Sequence, residues 1–211
     1  MAIYNKNHID QYKSIHENSR YGVSGYKFLD HIQLCIAELK PTTVLDFGCG
    51  QTNLSNKLHL NDAKFFRFDP AINEISNLGI KEADFVINTD VMEHIPSQDI
   101  DDVLGFIRSL SSKAFFSIAT TAAQEILPDG SNAHCSVFNR EQWLKRIQRH
   151  FPEATLIDSN RRGACIIVTW PTILKSQLEK LDELYQLKRR LEKWSPSYRL
   201  KRLRHKFSTK Q

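Results

Sequence analysis

Val44-Leu45-Asp46-Phe47-Gly48-Cys49-Gly50 is the segment from which the rest of the chain is read. Thr42 to Phe47 is a β-branched and apolar run of strand length, and Gly48 and Gly50 end it in a tight turn. Glycine lets the backbone reverse sharply and lets a ligand approach the main chain closely. Nineteen residues past Gly50, at the end of the next apolar run, stands Asp69. An acid in that position accepts hydrogen bonds from ribose hydroxyls, so strand, turn and acid together have the logic of a nucleotide-cofactor turn. The other reading is a plain strand-turn-helix with convenient glycines, and the spaced acid argues against it.

Outward from this segment, helix-like and strand-like stretches alternate. Residues 8–17 and 24–39 read as helices, the second with Phe28, Leu29, Ile32, Ile36 and Leu39 at helical spacing until Pro41 stops it. Leu54 to Leu60 reads as helix, Lys64 to Phe68 as strand, and Asp84 to Asn88 as strand. Pro96 opens a helix through Leu110, followed by a strand from Lys113 to Ala119. Asn139 caps a helix running to His150, with Glu141 and Gln142 in its first turn. Two closing strands, Ala154 to Asp158 and Ala164 to Trp170, are joined by the turn-forming residues 159–163. The fold expected is α/β, a mostly parallel sheet with a terminal antiparallel hairpin.

With 211 residues, 41% hydrophobic and 25% charged, the chain suits one soluble domain with an appendage. Its apolar runs are too short to span a bilayer, and its N-terminus lacks the pattern of a signal peptide. Cys35, Cys49, Cys135 and Cys165 show no paired short spacing, which argues against a disulfide scaffold or zinc knuckle and for the cytoplasm. The net charge of +5 is unevenly spread. Residues 173–211 hold 12 Lys+Arg against 4 Asp+Glu, leaving 17 basic and 20 acidic residues before them. The basic character therefore belongs to the tail.

From about Tyr21 to Trp170 the sequence resembles the class I S-adenosylmethionine (SAM)-dependent methyltransferases, which have a Rossmann-like fold. Their acid-then-GxG motif looks like Asp46-Phe47-Gly48-Cys49-Gly50, their ribose acid like Asp69, and their fourth-strand motif like Asn88-Thr89-Asp90-Val91-Met92-Glu93-His94-Ile95. The resemblance implies SAM as cofactor, held by Asp46, Phe47, Gly48, Cys49, Gly50, Asp69, Pro70 and Asp90. Ile72 would form an apolar wall and Tyr21 a cover over the methionine end. Asn53 stands where a dinucleotide-binding turn carries a third glycine, which favours SAM. Gln51, Thr52 and Asn53 depart from the family, in which a further glycine often follows. The fourteen residues between Asp69 and Asp84 are too few for a helix, a third strand and another helix.

On the acceptor side the resemblance places Asp90, Glu93, His94 and His134, the last in Asn132-Ala133-His134-Cys135. Two groups share such a pattern, the methyltransferases of quinone-type phenols and those of the 3′-terminal ribose of small RNAs. In the second group two acids and two histidines hold a divalent metal. Two readings stay open: a metal that polarises an acceptor hydroxyl, or His94 or His134 as general base. Glu93-His94 as a loop-orienting pair is a third. The Asn/Asp-Pro-Pro-aromatic motif frequent in N-methyltransferases of nucleobases is absent, which favours an oxygen acceptor.

The domain expected is 1–171, preceded within it by N-terminal lid helices, with 172–211 a basic amphipathic extension. Leu174, Leu178, Leu181, Leu184, Leu187 and Leu191 recur at helical steps, which suits packing or self-association. Pro196 breaks the helix, and Tyr198 to Phe207 sets Leu200, Leu203 and Phe207 among five basic residues, suited to an anionic membrane surface or RNA. The expected activity is O-methylation of a glycan or lipid-linked sugar by a cytoplasmic protein peripheral to the membrane. The alternatives are a metal-dependent RNA ribose methyltransferase and a non-catalytic interaction module.

Overall fold

The computed structural model describes residues 6–18, 22, 24–158 and 161–194. Helices α1 (Lys6–Asn18) and α2 (Leu29–Leu39) precede strands β1 (Thr43–Phe47), β2 (Lys64–Phe68) and β3 (Phe85–Thr89). Helix α3 (Ile100–Leu110), strand β4 (Ala114–Ala119), helix α4 (Arg140–His150), strands β5 (Thr155–Ile157) and β6 (Ala164–Val168), and helix α5 (Lys175–Trp194) follow. The six strands form one sheet in the order β2-β1-β3-β4-β6-β5. The first four run parallel, while β6 is antiparallel to both β4 and β5. This is the α/β sheet with a closing antiparallel hairpin expected from the strand pattern.

The parallel strands are buried on both faces, which is why they read as continuous apolar runs. One face packs Val103, Leu104 and Ile107 of α3 and Trp143 and Ile147 of α4 against Leu45, Val86 and Phe116. The other packs Phe28, Ile32, Cys35 and Ile36 against Val44, Phe85, Phe115 and Ile166. Helix α4 starts at a full capping box: Gln142 N–H donates to Asn139 Oδ1 and the Gln142 side chain accepts from Asn139 N–H, both at 2.9 Å. Helix α2 ends at Lys40, left-handed at φ 47°, just before Pro41.

Two helices are shorter than the sequence pattern suggests. Residues 54–60 hold only a single 3-10 turn, Leu54–Asn56. Ser55 Oγ donates to Asn53 Oδ1 at 2.6 Å, and Asn61 and Asp62 sit at positive φ, so polar side chains and turns take over from helix propagation. Helix α3 begins at Ile100, with Pro96 in a preceding turn in which Asp99 N–H donates to its carbonyl at 2.8 Å. The short stretch between β2 and β3 forms a 3-10 turn, Asn73–Ile75, and no strand, leaving β2 at the sheet edge.

In register, Phe47 pairs with Phe68 and Asp46 with Ile87, so β1, β2 and β3 end along one edge. Ala119 at the end of β4 faces Ala164 at the start of β6 on that same edge. The loops after all these strands therefore meet there. Helix α1 lies over them, with Tyr12 buried in a small cluster with Ala71, Leu127 and Ala133. Helix α5 is fastened on the α2 side. Glu38 accepts from Trp170 Nε1 at 3.1 Å, Thr172 Oγ1 at 2.7 Å and Ile173 N–H at 2.8 Å. Leu178 and Asp182 are fully buried, and Arg161 Nε donates to Asp182 Oδ1 at 2.8 Å.

Candidate functional site

At the carboxyl edge of the parallel strands lies a cleft of about 860 Å³. Its floor is the turn after β1. Gly48 and Cys49 N–H both donate to the Phe68 carbonyl, at 2.7 and 3.2 Å. Gly48 has φ 75°, and a Cβ there would sit 2.5 Å from Val91 Cγ2. Gly50 has φ 54°, and its Cβ would sit 2.6 Å from the Gly22 carbonyl oxygen. That oxygen in turn accepts from Gln51 N–H at 2.9 Å, so the N-terminal segment is laid directly on the turn. Glycine is required at both positions by the backbone angle and by the space.

Asp69, buried at the end of β2, accepts from Gly50 N–H at 2.8 Å through Oδ2 and from Ala71 N–H at 2.9 Å through Oδ1. Each carboxylate oxygen keeps a second lone pair for a ligand hydroxyl. Phe47, Gly48, Cys49, Gly50, Asp69, Pro70 and Asp90 all line this cleft. Asp46 does not. It lies beneath the turn, fully buried, with neither oxygen hydrogen-bonded among the described residues. Burial pushes its carboxyl up to about 8, against the pull of the Arg67 guanidinium. Ile72 is likewise absent from the lining, where Ala71 stands instead, and Tyr21 lies outside the described residues.

Asp90 closes the floor on the far side at φ 54°, a left-handed backbone for a non-glycine residue. It is over-determined: its N–H donates to the Ser117 carbonyl at 2.7 Å, Ser117 Oγ donates to Oδ1 at 3.1 Å, and Lys27 Nζ stands 3.7 Å from Oδ2. Strain held by several contacts at a strand end is characteristic of functional positions. Asp90, His94, Gly22 and Ser24 also line a second, broader cleft, so the two are lobes of one cavity.

The second lobe gathers Glu93, His94 and His134. His94 Nδ1–H donates to the Ala133 carbonyl at 2.8 Å, and His134 Nδ1–H to the Thr121 carbonyl at 2.6 Å. Those bonds set the same tautomer in both rings, with the lone pair on Nε2. The rings meet edge to face at 4.8 Å between centroids. Burial lowers the His94 pKa to about 4, so the ring is neutral at ordinary pH. Glu93 Oε1 accepts from Ala119 N–H at 2.9 Å, while Oε2 is buried with no hydrogen-bond partner among the described residues. Burial, then the charge of Asp90, raise its pKa well above the usual carboxylate range. Ligand atoms of Glu93, His94 and His134 all lie within 4.8 Å of one another.

All four acceptor-side residues named from the sequence thus meet in one lobe. The sequence reading missed His8, Ile9 and Tyr12 of α1, which line the first lobe, and Lys27, Arg161, Arg162 and Arg189, which line the second. The one available signal for α1 was the four-residue step from His8 to Tyr12, which sets both on one helix face. His8 Nε2 stands 2.6 Å from the His94 carbonyl oxygen, and Tyr12 O–H donates to the Ala133 carbonyl at 2.6 Å.

No protein-family model matches the chain, and no curated protein matches it in sequence. Among solved structures, the DhpI-SAM-HEP complex is similar at TM-score 0.54 and 13% identity, over 78% of this chain and 95% of that one. The DhpI-SAH complex is similar at TM-score 0.53 and 12% identity, over 79% and 97%. The Burkholderia thailandensis 1,6-didemethyltoxoflavin-N1-methyltransferase, with 1,6-didemethyltoxoflavin and S-adenosylhomocysteine bound, is similar at TM-score 0.52 and 13% identity, over 79% and 85%. The fold is the Rossmann-like fold of class I methyltransferases.

Proposed function

We propose that the protein is a SAM-dependent methyltransferase acting on a hydroxyl oxygen. The observation that carries this reading is the first lobe. It is a cleft floored by two glycines at positive φ, where any side chain would be strained and crowded, with a buried acid at its side. Bound SAM supplies a methyl group on a positively charged sulfur, ready for in-line displacement. Asp69 takes the ribose hydroxyls, and Tyr12 and Ile9 of α1 exclude water from above. Asp90, held in its strained geometry, faces the passage between lobes and positions the acceptor.

In the second lobe His134 is the general base. The Thr121 carbonyl fixes its Nδ1–H, so Nε2 takes the proton that the acceptor oxygen loses as the C–O bond forms and the C–S bond breaks. His94 is held too weakly basic by burial to keep that proton, and it orients the Ala133–His134 loop instead. The pair of histidines and the buried acid support an oxygen acceptor, whose proton must be removed. The fold alone does not distinguish oxygen from nitrogen acceptors.

A second reading is favoured by Glu93 Oε2. An orphaned buried oxygen beside two imidazoles, each anchored through Nδ1 to a carbonyl, fits the donor set of a divalent ion such as zinc or manganese. Glu93, His94 and His134 would hold it, and it would lower the pKa of the acceptor hydroxyl. Chelator treatment separates the readings: activity unchanged supports His134 as base, and activity lost then restored by a divalent ion supports the metal.

The acceptor class we favour is a glycan or a lipid-linked sugar at a membrane surface, supported by the basic sequence 198–207, which lies outside the described residues. No helix among the described residues is long and apolar enough to cross a membrane. The test is methyl transfer from labelled SAM into lipid, glycan and RNA fractions of one extract. Label in the lipid or glycan fraction is expected. Label in RNA alone would replace the acceptor class with ribose, and binding of SAM without transfer into any fraction would favour an interaction module.

A further inference from the structure

The second lobe has a basic end that the methyl-transfer chemistry leaves unused. Arg162, Gln186 and Arg189 line the same lobe as the Glu93–His94–His134 group. Two of these come from α5, a helix whose attachment to the domain is built with care. Arg161 is buried, donates to Asp182 through Nε and Nη2, and lies 4.9 Å over the Phe28 ring and 5.0 Å over the Tyr185 ring. The same Tyr185 ring carries the Arg189 guanidinium at 5.9 Å. The bond that pins α5 therefore joins the two elements that carry Arg162 and Arg189, both exposed residues lining the lobe.

The charges around the lobe decide what that wall can take. Lys27 is engaged with Asp90, and Arg161 with Asp182. Glu93 is buried, with Oε1 accepting from Ala119 N–H at 2.9 Å. That leaves Arg162 and Arg189, neither of which makes an ion pair among the described residues, against the exposed Glu125. Two exposed guanidinium groups without an anionic partner among the described residues, lining a concave site of a domain whose first 172 residues are on balance acidic, suit a planar or tetrahedral oxyanion, which each can bind bidentately.

We infer that the acceptor carries an oxyanion, held by Arg162 and Arg189 while its hydroxyl lies against His134, and that α5 is thereby part of the substrate site. This rests on the reading of the adjoining lobe as the methyl-donor site. Its consequence is that the C-terminal helix sets acceptor choice, independently of whatever residues 195–211 contribute.

The experiment is a titration of the full-length protein, saturated with S-adenosylhomocysteine, with inorganic phosphate in one arm and acetate in the other, followed by amide NMR shifts. Saturable shifts are expected for residues around Gly163 and α5, and the tighter of the two anions identifies the oxyanion as phosphoryl or carboxylate. Arg162→Gln combined with Arg189→Gln should weaken that binding about tenfold, the loss of charge-assisted hydrogen bonds. S-adenosylhomocysteine affinity should not change, and Lys145→Gln on the exposed side of α4 should behave as the unmodified protein. Equal anion binding by the double variant, or no response to either anion from protein that binds S-adenosylhomocysteine, would overturn the inference. Failure to bind S-adenosylhomocysteine would instead overturn the donor-site reading beneath it.

Discussion

In the first lobe the chain presents mostly backbone, and in the second mostly side chains. The first lobe is shaped by Gly48 and Gly50 and by amides tied to the Phe68 carbonyl and the Asp69 carboxylate, all set by the ends of adjacent parallel strands. The second lobe is assembled from Lys27, Asp90, Glu93, His134, Arg162 and Arg189, which come from five separate places in the chain. A backbone site tolerates little change but demands few specific residues. A side-chain site can be rebuilt for a new acceptor one residue at a time, on the same sheet.

The difference predicts where substitutions act. His134→Ala should lower turnover by about 10²–10⁴-fold, the usual worth of a positioned base, with S-adenosylhomocysteine affinity unchanged. Labelled-methyl transfer and calorimetry measured on the same preparation check this, and a parallel fall in both would erase the division between lobes. Gly50→Ala should do the reverse. Its Cβ meets backbone at 2.6 Å and its φ of 54° strains any side chain, so a loss of about 1–3 kcal/mol in cofactor binding is expected. Wild-type cofactor affinity in that variant would mean that the turn does not carry the ligand.

The same division explains what could be read from the sequence. The donor turn is a local pattern of seven residues plus one acid, and strand periodicity fixes where that acid falls. Asp46, although part of the pattern, does not line the cleft: alternate residues of a strand point to opposite faces, and it is the neighbouring Phe47 that reaches the lining. Glu93, His94 and His134 were legible because they follow strand ends at the correct edge. Arg162 and Arg189 were not, since a basic residue in a loop and one on a Lys/Arg-rich helix carry no periodic signal. They line one lobe in a fold that also joins Arg161 to Asp182 across 21 residues. The missing helix at 54–60 shows the converse: Leu54 and Leu58 have helical spacing and are buried, but local hydrogen bonding by Ser55 and Asn53 settles the backbone.

Burial of acids under the site gives a pH signature. A carboxyl that holds its proton more tightly when folded stabilises the protein at low pH, and that contribution is lost as pH rises from the ordinary value to the folded one. For Asp46 the window runs from 3.8 to about 8. His94 acts oppositely, losing stability as pH falls from 6.5 to about 4, so the carboxyl effect stands out above 6.5. Asp46→Asn should therefore flatten the decline in unfolding free energy between pH 6.5 and 8, by at most about 1.4 kcal/mol per pH unit. Denaturant unfolding across that range measures it, and an unchanged slope would show that Asp46 is ionised in the folded protein.

The smallest effect on either lobe is expected from removing residues 196–211. Stability and S-adenosylhomocysteine affinity should stay within about 0.5 kcal/mol, while co-sedimentation with anionic liposomes, worth about 1 kcal/mol per engaged basic residue, should fall. Equal liposome binding by the shortened chain would remove its targeting role.

The central claim is that the glycine-floored lobe binds SAM through Asp69. Calorimetric titration of the folded protein with S-adenosylhomocysteine tests it directly, alongside Asp69→Ala. One molecule per chain is expected, with affinity reduced in the variant by about 1.5–3 kcal/mol, the cost of losing hydrogen bonds to a charged group. No binding by the folded wild-type protein, or equal binding by the variant, would contradict the account.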